Sequence, residues 1–430
     1  MDNSKSFSIG LVGLGTVGSA TLKLLENQLI NINQKSGKKI IIKAISAKDK
    51  NKNRNIDINK YDWEESPLAL AEREDIDAIV ELVGGSDGLA KKLAYTAIEN
   101  NKYFITANKA LIAKYGYDLH DKASNKDLAI YYEAAVAGAI PVINSINDGL
   151  VSNNIISIHA ILNGTCNYIL SDMTNNSNSF EDALIKAKEL GFAEADPTFD
   201  VEGIDSAHKL VILGLLAYGA KPDLKKVYVE GITSIEAEDI KYANRLGYKI
   251  KLICIASLEK NKLDFRVHPA LCLSGSICSG IGGALNAVFL EGDYSKKLTF
   301  IGEGAGAEPT ASSVVSDIIH AAKSNKFLNS FRSIKNVREY KKITSRVGKY
   351  YIRLLVNDKP GVLASITSVL NENGISLDSV IQEGNESEEN KYIIILTHDC
   401  NELNINNAIN KIDSLNSLIG KSYLIRVENI

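Results

Sequence analysis

The chain has 430 residues and a formal net charge of −3, with 45% hydrophobic and 23% charged residues. This is the composition of a globular protein of about two to four domains, without the basic surface that nucleic-acid binding requires. No apolar run approaches the about 20 residues that span a bilayer, and no secretory signal is visible, so no membrane partner is expected. The five cysteines are scattered without a CxxC pair, which predicts neither a disulfide framework nor a zinc site and favours a reducing, cytoplasmic location.

A glycine-rich loop follows the first predicted strand. Phe7 to Val12 is a continuous apolar run, typical of a strand buried on both faces of a parallel sheet. A GxGxxG pattern and a helical pattern follow, which is the context in which this motif binds a dinucleotide. The predicted cofactor contacts are Gly13, Leu14, Gly15, Thr16, Val17 and Gly18. The alternative is a glycine-rich turn that binds no ligand.

The second predicted strand, in KKIIIKAISA, ends without an acidic residue. An Asp or Glu at that point usually binds the ribose 2′-hydroxyl of NAD. Here Lys48 follows, and then Lys50 and Arg54. These charges favour the 2′-phosphate of NADP, with Lys48 as the predicted contact, although they can equally be solvated loop charges.

Strands and helices continue to alternate as far as the segment TANKALIAKYG. This alternation predicts an α/β fold with a Rossmann-type, doubly wound parallel sheet. Ligands bind such sheets at the carboxyl ends of the strands, and Asn108 and Lys109 fall at one of these ends. Both are predicted to contact the cofactor, and Lys109 can also face the substrate.

The middle of the chain contains two predicted strands with small residues at their ends. Tyr131 to Ala137 is predicted as a strand, and glycine and proline residues interrupt it. A strand from Ile155 to Ile161 leads into Asn163-Gly164-Thr165 and then into a helix. Small residues at such a junction allow a ligand to approach closely, and a simple tight junction is the alternative interpretation.

The segment GFAEADPTFDVEGIDSAHK, from Gly191 to Lys209, concentrates acidic residues between two predicted helices. Asp205 and Lys209 are four residues apart, so they share one face of an otherwise apolar helix that begins near Gly203. A lysine on such a helix needs a partner or a function. The alternative is a surface ion pair worth only a few tenths of a kcal/mol.

Residues 324–349 are polar and predict a linker. The remaining residues, 350–430, predict a βαββαβ order, which is the ferredoxin-like layout of a small regulatory domain.

The motifs together resemble those of homoserine dehydrogenases. The resemblance covers essentially the whole chain and rests on GLGTVG, TANKALIAKYG, YYEAAVAGAIPVI, ILNGTCNYIL, GFAEADPTFDVEGIDSAHKL and GEGAGAEPTASSVVSD. It implies reduction of L-aspartate 4-semialdehyde to L-homoserine with NADPH or NADH, on the path to threonine, methionine and isoleucine. The expected domains are a Rossmann domain (1–135), a catalytic and dimerisation domain (136–323, returning to the nucleotide near 302–323), the linker and an ACT domain (350–430).

The resemblance also implies roles for individual residues. Lys209 would act as acid and base at the substrate oxygen, and Lys109 would contact cofactor and substrate. Asp205 would either hold and polarise Lys209 or bind the substrate. Glu194 would bind the substrate's amino group with support from Asp200. The resemblance further implies Gly164 and Thr165 as substrate contacts, and Gly306, before a helix starting at Thr310, as a cofactor contact. It also implies a monovalent cation, Na⁺, bound by the backbone carbonyls of Glu133, Val136, Gly138 and Ile140.

The loop DKPGVLASI resembles the effector loop of ACT domains. It implies threonine as an effector and a homodimer or homotetramer, and the alternative is a domain that only supports structure or pairing. Two other functions remain open from the residues. One is an amino-acid sensor that has lost catalysis, and the other is an oxidative semialdehyde dehydrogenase with a nucleophilic cysteine, for which only Cys166 lies near a motif.

Overall fold

The computed structural model describes residues 6–221, 223–324, 339–383 and 390–430. Within these ranges no helix is both long and apolar enough to cross a membrane. Residues 325–338 of the predicted linker lie outside the described residues.

The first part of the chain forms a six-stranded parallel sheet with the order β3-β2-β1-β4-β5-β6. Its first strand is buried along its whole length, which explains why its sequence is apolar without alternation. The strands are β1 (Phe7–Val12), β2 (Ile40–Ser46), β3 (Asp62–Trp63), β4 (Ala78–Glu81), β5 (Tyr103–Thr106) and β6 (Ile130–Tyr131). The helices are α1 (Thr16–Ser36), α2 (Pro67–Glu72), α3 (Leu89–Glu99) and α4 (Lys109–Ser124). The predicted Rossmann-type sheet is confirmed.

A mixed sheet with accompanying helices follows. Its strands are β7 (Ile155–Ile161), β8 (Tyr228–Val229), β9 (Tyr248–Glu259), β10 (Lys262–Leu273), β11 (Leu285–Gly292) and β12 (Lys296–Glu303). Its helices are α5 (Val142–Asn144), α6 (Gly164–Asn176), α7 (Phe180–Glu189), α8 (Thr198–Val201), α9 (Ile204–Tyr218), α10 (Ala237–Arg245), α11 (Ile277–Gly280) and α12 (Ala307–Lys323). Helix α12 returns to the first sheet and packs along α1, so its apolar side chains join the core of the nucleotide-binding half.

The C-terminal part has the predicted βαββαβ order and is confirmed as an ACT-type fold. The six elements of this fold are β15 (Tyr350–Asn357), α13 (Val362–Glu372), β16 (Leu377–Glu383), β17 (Asn390–Thr397), α14 (Glu402–Ile412) and β19 (Tyr423–Glu428). The short strands β13 (Glu339–Tyr340), β14 (Val347–Gly348) and β18 (Cys400–Asn401) lie outside this order, since β13 pairs with β10 and β14 pairs with β18. Strand β19 pairs in parallel with β10, so the ACT sheet and the catalytic sheet form one sheet of 11 strands.

Three local predictions differ from the structure. The strand predicted from Tyr131 to Ala137 ends at Tyr131, and Glu133–Ala135 form a 3₁₀ turn. The apolar run made it look like a strand, but the buried Glu133 carboxylate accepts two backbone hydrogen bonds and turns the chain. Helix α12 begins at Ala307, three residues before Thr310. The described end of the predicted linker contains β13 and β14, because both find strand partners.

Candidate active site

The loop between β1 and α1 contains three glycines that serve different purposes. Gly13 has φ +102°, and a Cβ there would lie 2.6 Å from Leu82 O. A Cβ on Gly18 would lie 1.9 Å from Gly13 O. Gly15, in contrast, has φ −78°, and a Cβ there would have no heavy atom within 4 Å. The protein therefore requires Gly13 and Gly18 for its own packing, whereas the open space at Gly15 fits a ligand phosphate at the helix N-terminus.

Alanine substitutions at these glycines separate the two requirements. We expect Gly15→Ala to fold with a nearly unchanged Tm and to bind a nicotinamide dinucleotide roughly tenfold or more weakly, because its methyl group occupies the ligand's space. Gly18→Ala is the matched variant, and we expect it to destabilise the fold by about 1–3 kcal/mol or more because of its clash with the backbone. Thermal unfolding and fluorescence titration of NADPH measure both effects. Equal cofactor affinity of Gly15→Ala and the unchanged chain would contradict the assignment of this loop.

The end of β2 has no carboxylate that could meet a ribose. Ser46 is its buried last residue, and Lys48 is exposed two positions later. Arg54 reaches the glycine loop, where its Nε donates to Leu14 O at 3.1 Å. Lys50 lies over the ring of Trp63 at 5.6 Å. Among the contacts described, Lys48 holds no part of its own loop, and its side chain is exposed to solvent.

Asp205 lies at the centre of a buried charge cluster. It stands in the first turn of α9 and is 1% exposed. Its Oδ2 is 2.8 Å from Lys209 Nζ, one turn along the helix, and its Oδ1 contacts Nζ of Lys109, the first residue of α4. Lys209 is 8% exposed, and its Nζ also donates to Leu162 O at 2.7 Å. One carboxylate therefore holds two ammonium groups that come from two helices.

Asn163 joins this cluster to a second carboxylate. Its Nδ2 donates to Asp205 Oδ2 at 3.0 Å and to Asp200 Oδ1 at 2.7 Å. Its Oδ1 accepts from Cys166 N at 2.8 Å and so caps α6. Sequence reasoning missed Asn163 as a site residue. The sequence did place an Asn, a residue type favoured at helix N-caps, at a junction between a strand and a helix. Residue spacing could not show that its side chain also contacts Asp200 and Asp205, which lie far away in sequence.

The two carboxylates differ in ionisation. Burial opposes the charge on Asp205, but Lys209 and Lys109 outweigh it and hold the pKa of that carboxyl well below its usual range. Burial raises the pKa of Asp200, and the neighbouring Asp205 charge adds to the increase. Asp205 therefore remains an anion at any physiological pH, and an additional cation near Asp200 would be stabilised.

The predicted substrate residues lie around this cluster. Gly164 and Thr165 form the first turn of α6, and the Thr165 hydroxyl donates to Phe192 O. This bond ties α6 to the loop that carries Glu194, whose side chain is exposed. The geometry brings Lys109, Lys209, Asp205 and Asp200 into one network, and none of the contacts described joins Glu194 to it.

Asn108 sits between the first sheet and this cluster. It caps α4 by accepting from Leu111 N at 3.1 Å, and its Nδ2 donates to Gly85 O at 2.6 Å. Its backbone N donates to Thr106 Oγ1, which in turn donates to the buried Glu81 carboxylate at 2.6 Å. These contacts fix the start of α4 and therefore the position of Lys109.

The segment predicted to hold a cation folds back on itself. Ala137 and Gly138 both have left-handed backbone angles, with φ +57° and +56°. A Cβ on Gly138 would lie 2.6 Å from Glu303 O, and Gly138 O accepts from Ser313 Oγ at 2.7 Å. This conformation costs Ala137 about 1 kcal/mol in steric energy, so the surrounding structure must impose the turn.

Two acids are buried beside this turn. Glu133 accepts from Ile143 N at 2.8 Å and Asn144 N at 2.7 Å, while its own N donates to Asp317 Oδ2 at 2.8 Å. Burial raises the pKa of Glu133 to about 7 and that of Asp317 well above its usual range. Over the described ranges no group of three or more His, Cys, Asp or Glu side chains could hold a metal ion. The backbone carbonyls of this turn, each with two lone pairs, are a further source of oxygen ligands.

Gly306 precedes α12 with φ +116° and no side-chain cap on that helix.

Cys166 is fully buried, and its Sγ donates to Asp200 O at 3.2 Å. Burial raises the pKa of the Cys166 thiol well above its usual range. A protonated thiol that a substrate-sized aldehyde cannot reach is a poor nucleophile, so Cys166 is structural.

Three parts of the chain match known protein families. Residues 13–133 match the NAD-binding domain of homoserine dehydrogenase, and residues 141–319 match the homoserine dehydrogenase family itself. Residues 350–416 match the ACT domain.

Full-length relatives and solved structures agree with these matches. The chain is 40% identical to a homoserine dehydrogenase of Helicobacter pylori over 429 residues, covering 99% of this chain and 100% of that one. It is 38% identical to one of Neisseria gonorrhoeae over 437 residues, covering 99% of both. The crystal structure of a homoserine dehydrogenase from Thiobacillus denitrificans superposes with a TM-score of 0.93 at 38% identity, covering 99% of both chains. The chain therefore belongs to the homoserine dehydrogenase family of NAD(P)-dependent oxidoreductases and carries an ACT domain.

Proposed function

We propose that this enzyme reduces L-aspartate 4-semialdehyde to L-homoserine, in the biosynthesis of threonine, methionine and isoleucine. The observation that carries the proposal is the pair of ammonium groups, Lys109 and Lys209, held by the two oxygens of buried Asp205. Negative charge develops on an aldehyde oxygen as it is reduced, and such a paired cationic site stabilises it.

A bound nicotinamide cofactor supplies the hydride. Lys209 then donates a proton to the substrate oxygen, and in the reverse direction it accepts one. Asp205 and Leu162 O fix the Lys209 ammonium, which limits its motion and directs its remaining N–H towards the substrate. Lys109 lies over the ring of Phe199 at 5.6 Å and adds positive charge at the same oxygen. The burial of Asp205 and Lys209 excludes water and strengthens these interactions.

The substrate's ammonium group is expected to lie near the acidic side of the site. Asp200 is partly buried beside Asn163, and Glu194 lies on the loop tied to Thr165. Two carboxylates next to a cationic group lower its free energy, and Glu194 would complete the contact when substrate is bound. Gly164 offers no side chain that could block the approach.

The cofactor is proposed to be NADP in preference to NAD. The end of β2 has no acidic residue, Lys48 follows it with an exposed side chain, and Arg54 contacts the glycine loop through Leu14 O. A hyperthermophilic archaeal homoserine dehydrogenase solved in complex with NADPH aligns over 74% of this chain at 25% identity, with a TM-score of 0.62. Asn108, Lys109 and Gly306 are proposed as further cofactor contacts.

Lys48→Ala tests the cofactor preference. We expect KM for NADPH to rise roughly fivefold to tenfold, with KM for NADH unchanged, because one charge-assisted contact to the 2′-phosphate is lost. Lys52→Ala, also exposed in this loop, is the matched control and should leave both values unchanged. Equal effects of Lys48→Ala on NADPH and NADH would assign that lysine to the loop's surface charge alone.

A monovalent cation, Na⁺, is proposed to bind the carbonyls of Glu133, Val136, Gly138 and Ile140. The imposed left-handed turn and the two buried acids support this, because a cation would offset the cost of burying negative charge there. Na⁺ would act by holding this turn against the segment at Glu303 and not by entering the reaction.

Threonine is proposed as an effector at the ACT domain, near the N-terminus of α13. Gly361 there has φ +89°, and nothing lies within 4 Å of a Cβ at that position.

A homodimer or homotetramer is also proposed. Strands β12 and β16 are the two ends of the long sheet, and each has an exposed apolar side chain, Ile301 and Val380, where a second copy can dock. Light scattering measures the assembly directly.

One assay tests the main proposal. Oxidation of NADPH and of NADH is followed by the loss of nicotinamide absorbance with L-aspartate 4-semialdehyde, with and without threonine and in Na⁺ or choline buffer. We expect oxidation with semialdehyde, faster at low NADPH than at equal NADH, and inhibition by threonine. Absence of oxidation with both cofactors would contradict the function, whereas insensitivity to threonine would contradict only the regulation.

An oxidative semialdehyde dehydrogenase is disfavoured by the buried, protonated Cys166. A sensor without catalysis is disfavoured by the intact cluster of Lys109, Asp205 and Lys209. Replacing a buried ion pair with apolar residues is often neutral or stabilising, so stability alone does not account for this cluster.

A further inference from the structure

Two cysteines that are remote from the charge cluster lie in contact with each other. Cys272 is near the end of β10, and Cys278 is in α11. Their Sγ atoms are 3.4 Å apart, and the residues are 1% and 0% exposed. Both thiols are free. The scattered spacing of cysteines in the sequence did not indicate this pair, because a strand end and a short helix bring it together.

A buried lysine lies beside the two sulfurs. Lys251 is 4% exposed, and its Nζ donates to Asn167 Oδ1 at 2.9 Å and to Ile281 O at 2.5 Å. Burial lowers the pKa of Lys251 to about 8. The hydrogen bond with Cys272 lowers the pKa of the Cys278 thiol, and with the positive charge of Lys251 it outweighs the opposing effect of burial. Thiolate is the form that reacts with oxidants, so Cys278 is the more reactive member of the pair.

The segment after Cys278 supports the substrate side of the active site. Asn167, near the start of α6, donates to Ile281 O at 3.3 Å and to Leu285 O at 3.0 Å. A Cβ on Gly164 would lie 2.7 Å from Ala284 O, so this segment touches the start of α6 directly. Any displacement of α11 therefore reaches the turn that carries Gly164 and Thr165.

We propose that Cys272 and Cys278 are a modification site at which a hydroperoxide forms a reversible disulfide that lowers the activity of the enzyme. The Cys278 thiolate attacks the peroxide oxygen, the O–O bond breaks, and the alkoxide or hydroxide leaves and takes a proton. The resulting sulfenic acid is then attacked by Cys272, an S–S bond forms, and water leaves. Two thiols are oxidised and one peroxide is reduced, and a dithiol reverses the reaction by exchange.

Both access and effect depend on the local geometry. Oxidation of this pair requires a small oxidant to enter at the connecting turn, where residues 273–275 are exposed and Gly275 has φ +87°. A disulfide requires an S–S distance of about 2.05 Å, so the sulfurs must approach by more than about 1 Å. Displacements of this size in a positioning element cost up to about 10²-fold in rate.

The test uses the full-length chain with its cofactor. After brief treatment with hydrogen peroxide and removal of the excess, thiols are counted in denaturant and the mass of the peptide with both cysteines is measured. We expect two of the five thiols to be lost, that peptide to lose about 2 Da, and kcat/KM to fall roughly tenfold, all reversed by dithiothreitol. Cys272→Ser should show no such reversible loss, and Cys400→Ser, in the ACT domain, should behave like the unchanged chain.

Several outcomes would overturn the proposal. They are five titratable thiols after treatment, a disulfide at other cysteines, sulfenic or sulfinic acid as the final product, and an equal reversible loss of activity in Cys272→Ser. A disulfide at these residues with unchanged turnover would overturn the coupling to the active site. The activity readout rests on the proposed function, whereas the thiol count and peptide mass do not, so failure of either proposal is recognised separately.

Discussion

Lys209→Ala is expected to lower kcat roughly 10³-fold while leaving the affinity for NADPH nearly unchanged. The reason is that Lys209 supplies the proton and part of the positive charge at the substrate oxygen, and general acid–base groups contribute about 10²–10⁴-fold. Its Nζ is held by Asp205 Oδ2 and Leu162 O, which fixes the ammonium within the charge cluster. Steady-state kinetics with L-aspartate 4-semialdehyde and a fluorescence titration of NADPH measure the two quantities.

Lys209→Met is the informative companion because it retains the buried aliphatic stem and removes only the charge. It should lose as much activity as Lys209→Ala and retain more of the stability. Lys221→Ala removes an exposed lysine that pairs with Asp118 at 2.8 Å, and it should leave kcat unchanged. A Lys209→Met enzyme with normal turnover would exclude the assigned role.

Asp205→Asn is expected to lower kcat/KM roughly 10²-fold and also to lower the Tm. The carboxylate is 1% exposed and contacts two ammonium groups, so its loss removes the anion that pairs directly with both Lys109 and Lys209. Removing one partner of a buried ion pair costs about 3–5 kcal/mol. Thermal unfolding and kinetics measure both effects, and Asp118→Asn, from the exposed pair with Lys221, is the control that should change neither.

The double variant Asp205→Asn, Lys209→Met tests whether the two residues act as a unit. Its activity should be close to that of Lys209→Met alone, and its Tm should exceed that of Asp205→Asn, because one of the two unpaired cations is gone. Additive losses of activity would show that Asp205 has a role independent of Lys209.

The low pKa of Asp205 also means that its ionisation should not contribute to the pH–rate profile between about pH 5 and 9.

Part of this enzyme was predictable from local sequence patterns. The buried strand, the glycine spacing and the following helix predicted the Rossmann-type sheet, and the spacing of Asp205 and Lys209 placed them on one helical face. The order of strands and helices after residue 350 predicted the ACT-type fold. These features follow from periodicity and steric rules that act over a few residues.

The same local rules failed where a single buried contact decided the backbone. The apolar run after Tyr131 has the composition of a strand, but hydrogen bonds to the Glu133 carboxylate from the backbone of Ile143 and Asn144 turn it. The strand near Glu339 was predicted as linker because its partner, β10, lies far away in sequence. Composition does not reveal a partner that is brought near only by folding.

By itself, the sequence determined most of the strands and helices, the glycine loop, and the placement of Asp205 and Lys209 on one helical face, and family resemblance supplied the expected roles. Only the tertiary structure showed that Lys109 meets the other oxygen of Asp205, that Asn163 bridges to Asp200, and that Cys272 lies against Cys278. The physical reason is that local patterns report which residues share a face of one element. Contacts between elements depend on how buried faces pack, and they are fixed only when the whole chain has folded.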